Sequence, residues 1–202
     1  MKFPIFASFI VFCIWLSYEL HKSRRRQEST EESFWEKESR ANNTRRKSLD
    51  DLNYITIPFD SLPMDVMKDD PVVSECHDIL HTISEGPIVN LTGISNTDLK
   101  LKYGAPNIDL LTLYDQRYTT LARTLQRLAT ALYDHTYVKE AKTVLEFAIE
   151  TKTDVSASYK LLAEIYQETG EKGKIRNLIP VAEGLNSALS AHIVSFLNSM
   201  AE

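Results

Sequence analysis

"YVKEAKTVLEFAIE", residues 137–150, sets Ala141, Val144, Leu145 and Ala148 at three- and four-residue steps, the spacing of one buried helical stripe. The stretch before it behaves alike. From Asn107 to His135 there is neither Gly nor Pro, and Ile108, Leu111, Tyr118, Leu121, Leu125, Leu128 and Leu132 keep one face apolar. "DHTY" at 134–137 leaves room only for a tight turn, so the two helices form an antiparallel hairpin. Whether that hairpin recurs decides the architecture.

Shifting the chain by thirty-four residues pairs Leu125 with Tyr159, Leu128 with Leu162, Ala129 with Ala163, and Leu132 with Tyr166. In the second helix Ala141 meets Ile175, Leu145 meets Ile179, and Ala148 meets Ala182. Every pair is apolar, and the turn recurs, with Thr136 opposite Gly170 in "QETGEKGK". On these residues the chain resembles the tetratricopeptide-repeat family, whose period this is. Thr153 and Ser187 stand where that family favours Pro, and Ile175 replaces a small Ala. Pro180 should kink the last helix or delay its start. The resemblance covers two copies, 122–155 and 156–189, one fewer than a stable array usually needs. "LSAHIVSFLNSM" supplies a cap helix over 190–200, facing inward with Ile193, Phe196, Leu197 and Met200.

Upstream segments can cover the opposite end. In "YITIPFDSLP" Ile55, Ile57 and Phe59 alternate with Tyr54, Thr56 and Pro58, while Pro58 and Pro63 bar a central strand. A strap laying Ile55, Ile57, Phe59 and Leu62 on the helices is expected. "DDPVVSECHDILHTISEG" opens a helix at Asp70-Pro71 and stops at Gly86, burying Val72, Cys76, Ile79, Leu80 and Ile83. His77 and His81 are four apart, but no third or fourth ligand accompanies them at metal-site spacing, so no metal is expected. "NLTGISNTDLKLKYGAPN" is too long for an incidental connection and reads as a structured loop. Asn96, Asp98, Lys100 and Tyr103, with Thr97 and Lys102, are its polar candidates for binding. Strap and loop together are similar to small membrane-anchored proteins of Gram-positive bacteria, a likeness that implies no activity.

Phe3 to Tyr18, "FPIFASFIVFCIWLSY", carries no charge, and "HKSRRR" follows Glu19 and Leu20. A spanning helix needs roughly 17 to 25 residues, so residues 1–20 suit a short anchor that crosses the membrane through 3–20. Charges after the run, and a poor cleavage site at Ser17–Leu20, argue against a removed signal peptide. By the positive-inside rule Lys22, Arg24, Arg25 and Arg26 stay in the cytoplasm, leaving the N-terminus outside. Residues 21–50 then form a basic, polar linker with few apolar side chains, expected to be mobile. Residues 51–202 form the helical domain. Cys13 then sits in the anchor and Cys76 in a reducing cytoplasm, so no disulfide is expected, and the sequons at Asn42 and Asn90 stay unmodified.

From His21 to Asp50 there are nine Lys/Arg against six Asp/Glu, and beyond Asp50 thirteen against twenty-one. An acidic domain lacks the basic face that nucleic acid requires. The chain's five histidines are scattered, and no phosphate loop or paired nucleophile and base appears, so neither enzyme nor cofactor is expected. The fold class is all-α: an anchor, a linker, and a bundle of about six helices built from hairpins. The family resemblance implies a protein-binding scaffold, with a peptide or helix held on the exposed side of the first helices. Those side chains are Arg123, Gln126, Thr130, Tyr133 and Asp134, then Lys160, Glu164, Gln167 and Glu168. A spacer with no specific ligand is the alternative, and an enzyme of unknown type the more distant one.

Overall fold

The computed structural model describes the backbone from Phe3 to Ala201; side chains of residues 1–7, 21 and 23–30 lie outside the described set. The chain is all-α, and among the described residues there is no strand. It divides into two compact units, Met1–Lys47 with Asn96–Asn107, and Ser48–Ser95 with Ile108–Glu202.

In the first unit α1 (Phe3–Asn42) is one helix of 40 residues. A mobile linker is expected from residue 21, but the helix continues to Asn42. The reason lies in α3 (Asn96–Tyr103), which occupies the segment expected to be a loop. Glu38 accepts hydrogen bonds from Lys100 and Thr97, both at 2.6 Å, and Lys37 pairs with Asp98 at 2.8 Å. Ala41, Leu99 and Tyr103 are buried. The end of α1 thus gains from α3 the partners its own composition lacks. After α1 the chain is stitched by Asn107, whose amide donates to the carbonyls of Lys47 and Tyr103 at 2.8 and 2.9 Å. Arg46 donates to its Oδ1 at 2.8 Å. Gly104 sits at φ 94, where a Cβ would stand 2.2 Å from the Arg45 carbonyl oxygen.

Phe9, Ile10, Val11, Phe12, Ile14, Trp15 and Leu16 are all exposed, so every face of α1 in this stretch is apolar. No helix among the described residues is long and apolar enough to cross a membrane. The side chains of the first seven residues of the expected anchor, and of the cations Arg24, Arg25 and Arg26, lie outside the described set.

The second unit holds α2 (Pro71–Ser84), α4 (Ile108–Asp134), α5 (Val138–Glu150), α6 (Ser156–Glu168), α7 (Lys172–Glu183) and α8 (Ser190–Ala201). Among the described residues these are six helices, in line with the expected number of about six, and α3 makes a seventh after residue 50. Asp70 caps α2, its carboxylate accepting from the Val72 and Val73 N–H groups. The buried stripe of α2 is Val73, Cys76, His77, Leu80 and Ile83, with Val72 and Ile79 only half-buried. The expected stripe is therefore rotated by a fraction of a turn. The strap lies on the core as expected: Ile57 and Leu62 are buried, Ile55 and Phe59 are half-buried against them, and Ile55 donates to the Ile88 carbonyl at 2.9 Å.

The hairpins repeat down to the backbone bond. At the α4–α5 turn His135, Thr136 and Tyr137 donate to Ala131, Tyr133 and Leu132. At the α6–α7 turn Thr169, Gly170 and Glu171 donate to Ile165, Gln167 and Tyr166, each bond thirty-four residues later. Thr136 and Gly170 both take positive φ, 69 and 75. The next turn repeats too: Val155 N–H meets the Thr153 hydroxyl, and Leu189 N–H the Ser187 hydroxyl. These hydroxyls organise the turn that a Pro would otherwise stiffen. Six of the seven predicted apolar pairs are buried in both members; Ile179 is half-buried, and its neighbour Leu178 is buried instead. Pro180 lies inside α7, which begins at Lys172 without delay.

Ala129 and Ala163 are fully buried. Ala129→Leu should lower stability by about 1 to 3 kcal/mol in chemical denaturation, because three extra carbons have no space there. Exposed Lys139→Ala should change it by less than about 0.5 kcal/mol. Equal values for the two would place Ala129 outside the packed interface.

Candidate functional site

The residues proposed from sequence on the first helices fall on the solvent side of α4 and α6. Gln126 accepts from the Ser158 hydroxyl at 2.7 Å and donates to the Thr130 hydroxyl at 3.1 Å. Tyr133 donates to Glu168 at 2.6 Å, which holds its phenol above the usual range. The two helices are thus joined through side chains at both ends of this face. Lys160 lies 5.4 Å from the ring centre of Phe196 on α8, a cation–π contact. Glu164 and Gln167 are exposed, as is Arg123, which meets no hydrogen-bonding or charged partner among the described residues. The face therefore has a bonded frame and a few open polar side chains.

The residues proposed from the 91–107 segment are placed otherwise. Asp98 and Lys100 pair with α1, Tyr103 is buried, and Asn96 opens α3. Their polar groups serve the first unit's own packing.

The histidine pair separates in role. His81 stacks on Phe59 of the strap, ring centres 4.4 Å apart and 8° from parallel. His77 is 8% exposed, and its Nε2 has no hydrogen-bond partner among the described residues. The cause is the rotated α2 stripe, which turns His77 inward. Burial holds the His77 imidazole below the usual histidine range; His81 and Lys68 add to this, against Asp78 and Asp65. The unfolded chain therefore binds the proton first, and stability falls as the pH drops through roughly 6.5 toward the lowered folded value. A melting temperature followed from pH 7.5 to 5.5 should decline by less in His77→Leu than in the wild type. An identical decline would assign the pH dependence to other groups.

Sequence reasoning does not anticipate a cleft of about 490 Å³ in the second unit. Its walls are the strap at Asn53–Thr56, the segment of Asn90 and Thr92, the end of α5, and the Gly184–Ser187 turn. The Asn90 amide donates to the carbonyls of Thr151 and Lys152, both at 3.1 Å, while Tyr118 donates to Thr151 at 3.2 Å. Asn186 donates to the Gly93 carbonyl at 2.9 Å, and Ser187 to Asp154 at 2.8 Å. Gly93, at φ 77, has no room for a Cβ against Asn186. Burial raises Tyr118 to about 12, and the fully buried Tyr159 hydroxyl has no hydrogen-bond partner among the described residues.

No protein-family model, curated protein or solved structure matches the chain. Among the described residues no three His, Cys, Asp or Glu side chains converge to hold a metal ion.

The cleft has one faint mark in the sequence. "NLTG" at 90–93 reads as a glycosylation sequon followed by a turn, yet the Asn90 amide is already committed to two carbonyls. An Asn whose amide closes the end of a helix looks the same in sequence as one that faces solvent.

Proposed function

We propose that this chain is a membrane-anchored interaction module and not an enzyme. Its hairpins are of tetratricopeptide type and take a peptide or partner helix on the exposed side of α4 and α6. The backbone bonds that recur at a thirty-four-residue offset carry this reading, because that period stacks successive first helices side by side. Gln126–Ser158 and Tyr133–Glu168 hold the two helices at fixed spacing, and Arg123, Glu164 and Gln167 are left to contact a partner. No cofactor enters this reading.

The anchor is residues 3–20, with the N-terminus outside and the helical unit in the cytoplasm. Its support is the exposure of apolar side chains on every face of α1 between Phe9 and Leu20, which water tolerates poorly.

Arg123→Glu combined with Lys160→Glu tests the binding face. Both side chains lie at the surface, so helical content and melting temperature should hold to within a few degrees. A partner that co-purifies with the wild type through a carboxylate should be released by at least about tenfold, since like charges repel across an interface. Retention of the whole partner set by the double variant would move the interface off this face. Absence of any stoichiometric partner would favour a spacer role.

A further inference from the structure

The α4–α6 face carries opposite charge at its two ends. The Gln126–Ser158 and Tyr133–Glu168 bonds set α4 and α6 side by side and running the same way. At one end, a turn before Gln126, stands Arg123, level with the start of α6. That helix opens at Ser156 without a side-chain cap, and the free N–H groups of such a start carry partial positive charge. At the other end both helices finish, at Asp134 and at Glu168, where the partial charge of a helix terminus is negative.

Carboxylates gather at the negative end, and Tyr133 reports their nearness. Its phenol is held up by the bond to Glu168, by burial, and by the charges of Glu168, Glu164 and Asp134. Asp134 and Glu164 are exposed, and neither side chain makes a hydrogen bond or ion pair among the described residues. Asp134 follows Arg123 by eleven residues of one helix, about three turns or 16 Å, so both leave the same side. Glu164 stands one turn short of Glu168, which spreads the carboxylates over about 10 to 16 Å from Arg123. Between the poles the cations are engaged: Arg127 pairs with Glu75, and Lys160 rests against the Phe196 ring. Gln167 is exposed, and its carboxamide is open to a backbone N–H or C=O. Extended chain offers those groups, whereas a helix has used its own.

Taking that face as the binding surface, we propose that its ligand is an extended segment bearing both signs of charge. A carboxylate meets Arg123 and, four residues away, a cation sits among Asp134, Glu164 and Glu168. Side chains four apart in extended chain point to one side and stand about 13 Å apart, within the span between the poles. A guanidinium suits the negative pole, because its fork of donors reaches more than one carboxylate. A wholly acidic or wholly basic segment meets a like charge at one pole and is turned away.

The probe is acetyl-Glu-Thr-Val-Thr-Arg-amide, titrated by NMR into the full chain held in an uncharged detergent. Its threonines and valine favour the extended form. Acetyl-Thr-Glu-Val-Arg-Thr-amide has the same composition and net charge, but its charges stand about 7 Å apart and cannot reach both poles. The first peptide should shift amides along Arg123–Asp134 and Lys160–Glu168 and bind at least about fivefold more tightly than the second. Glu164→Gln should weaken the first peptide by about fivefold, and its citrulline version, which lacks the cation, by less than about twofold. Equal binding of the two peptides, shifts confined to the Arg123 end, or an equal effect of Glu164→Gln on both versions would overturn the two-pole ligand. Each of those results would leave a carboxylate site on the face. Shifts centred off the face would overturn the reading of the face as well. A first peptide that does not saturate by roughly 10 mM also overturns the proposal.

Discussion

Leu162→Ala is expected to lower the stability of the helical unit by about 2 to 5 kcal/mol, the usual range for a fully buried leucine truncated in a core that cannot collapse. Leu162 has no exposed surface, and Leu128, thirty-four residues earlier, has none either. The two occupy matching places in successive first helices, so Leu128→Ala should cost a similar amount. Urea denaturation of the single variants reads both values. Exposed Glu164→Ala is the control and should stay within about 0.5 kcal/mol. A loss confined to Leu162, with Leu128→Ala near zero, would mean that the two hairpins share a backbone pattern without sharing a core.

Val11→Arg should release the chain from the membrane fraction. Val11 lies near the middle of the apolar run and is 66% exposed. A central arginine in a spanning helix costs about 3 kcal/mol relative to valine, a shift of about a hundredfold in partition. Membrane pellets washed at high pH should retain the wild type and lose most of this variant. Phe34→Arg, exposed on the charged part of the same helix, should pellet like the wild type. A Val11→Arg protein that stays fully in the pellet would show that something other than this helix holds it there.

Local signals in the sequence survive well in the structure, and long-range ones do not. The apolar stripes of the hairpins were readable because each residue's neighbour lies three or four positions away, and they are buried in six of seven pairs. The α2 stripe was ambiguous, since Val73, Cys76, His77, Leu80 and Ile83 obey helical spacing as well as the set headed by Val72 does. A histidine within that spacing reads as solvent-facing, so the inward choice was hidden. The length of α1 depends on Glu38 meeting Thr97 and Lys100, residues about sixty positions on, which composition cannot report. The residues of the α4–α6 face could be named by register, but their cross-links could not. Neither Gln126–Ser158 nor Tyr133–Glu168 follows from periodicity. Beyond the turn at 90–93 the cleft left no mark, because it is assembled from four separated segments.

The separation of those four segments also orders events in time. From α4 to α8 the helices are joined by short turns, so their contacts close small loops and need little entropy to form. Asn90 must find Thr151 across 61 residues, and Asn186 must find Gly93 across 93. The hairpins should therefore assemble early and the strap dock late. In a refolding chain pulse-labelled with deuterium, the amides of α4 to α7 should gain protection before the N–H of Ile55. A newly made chain would then present its α4–α6 face while the cleft is still unformed.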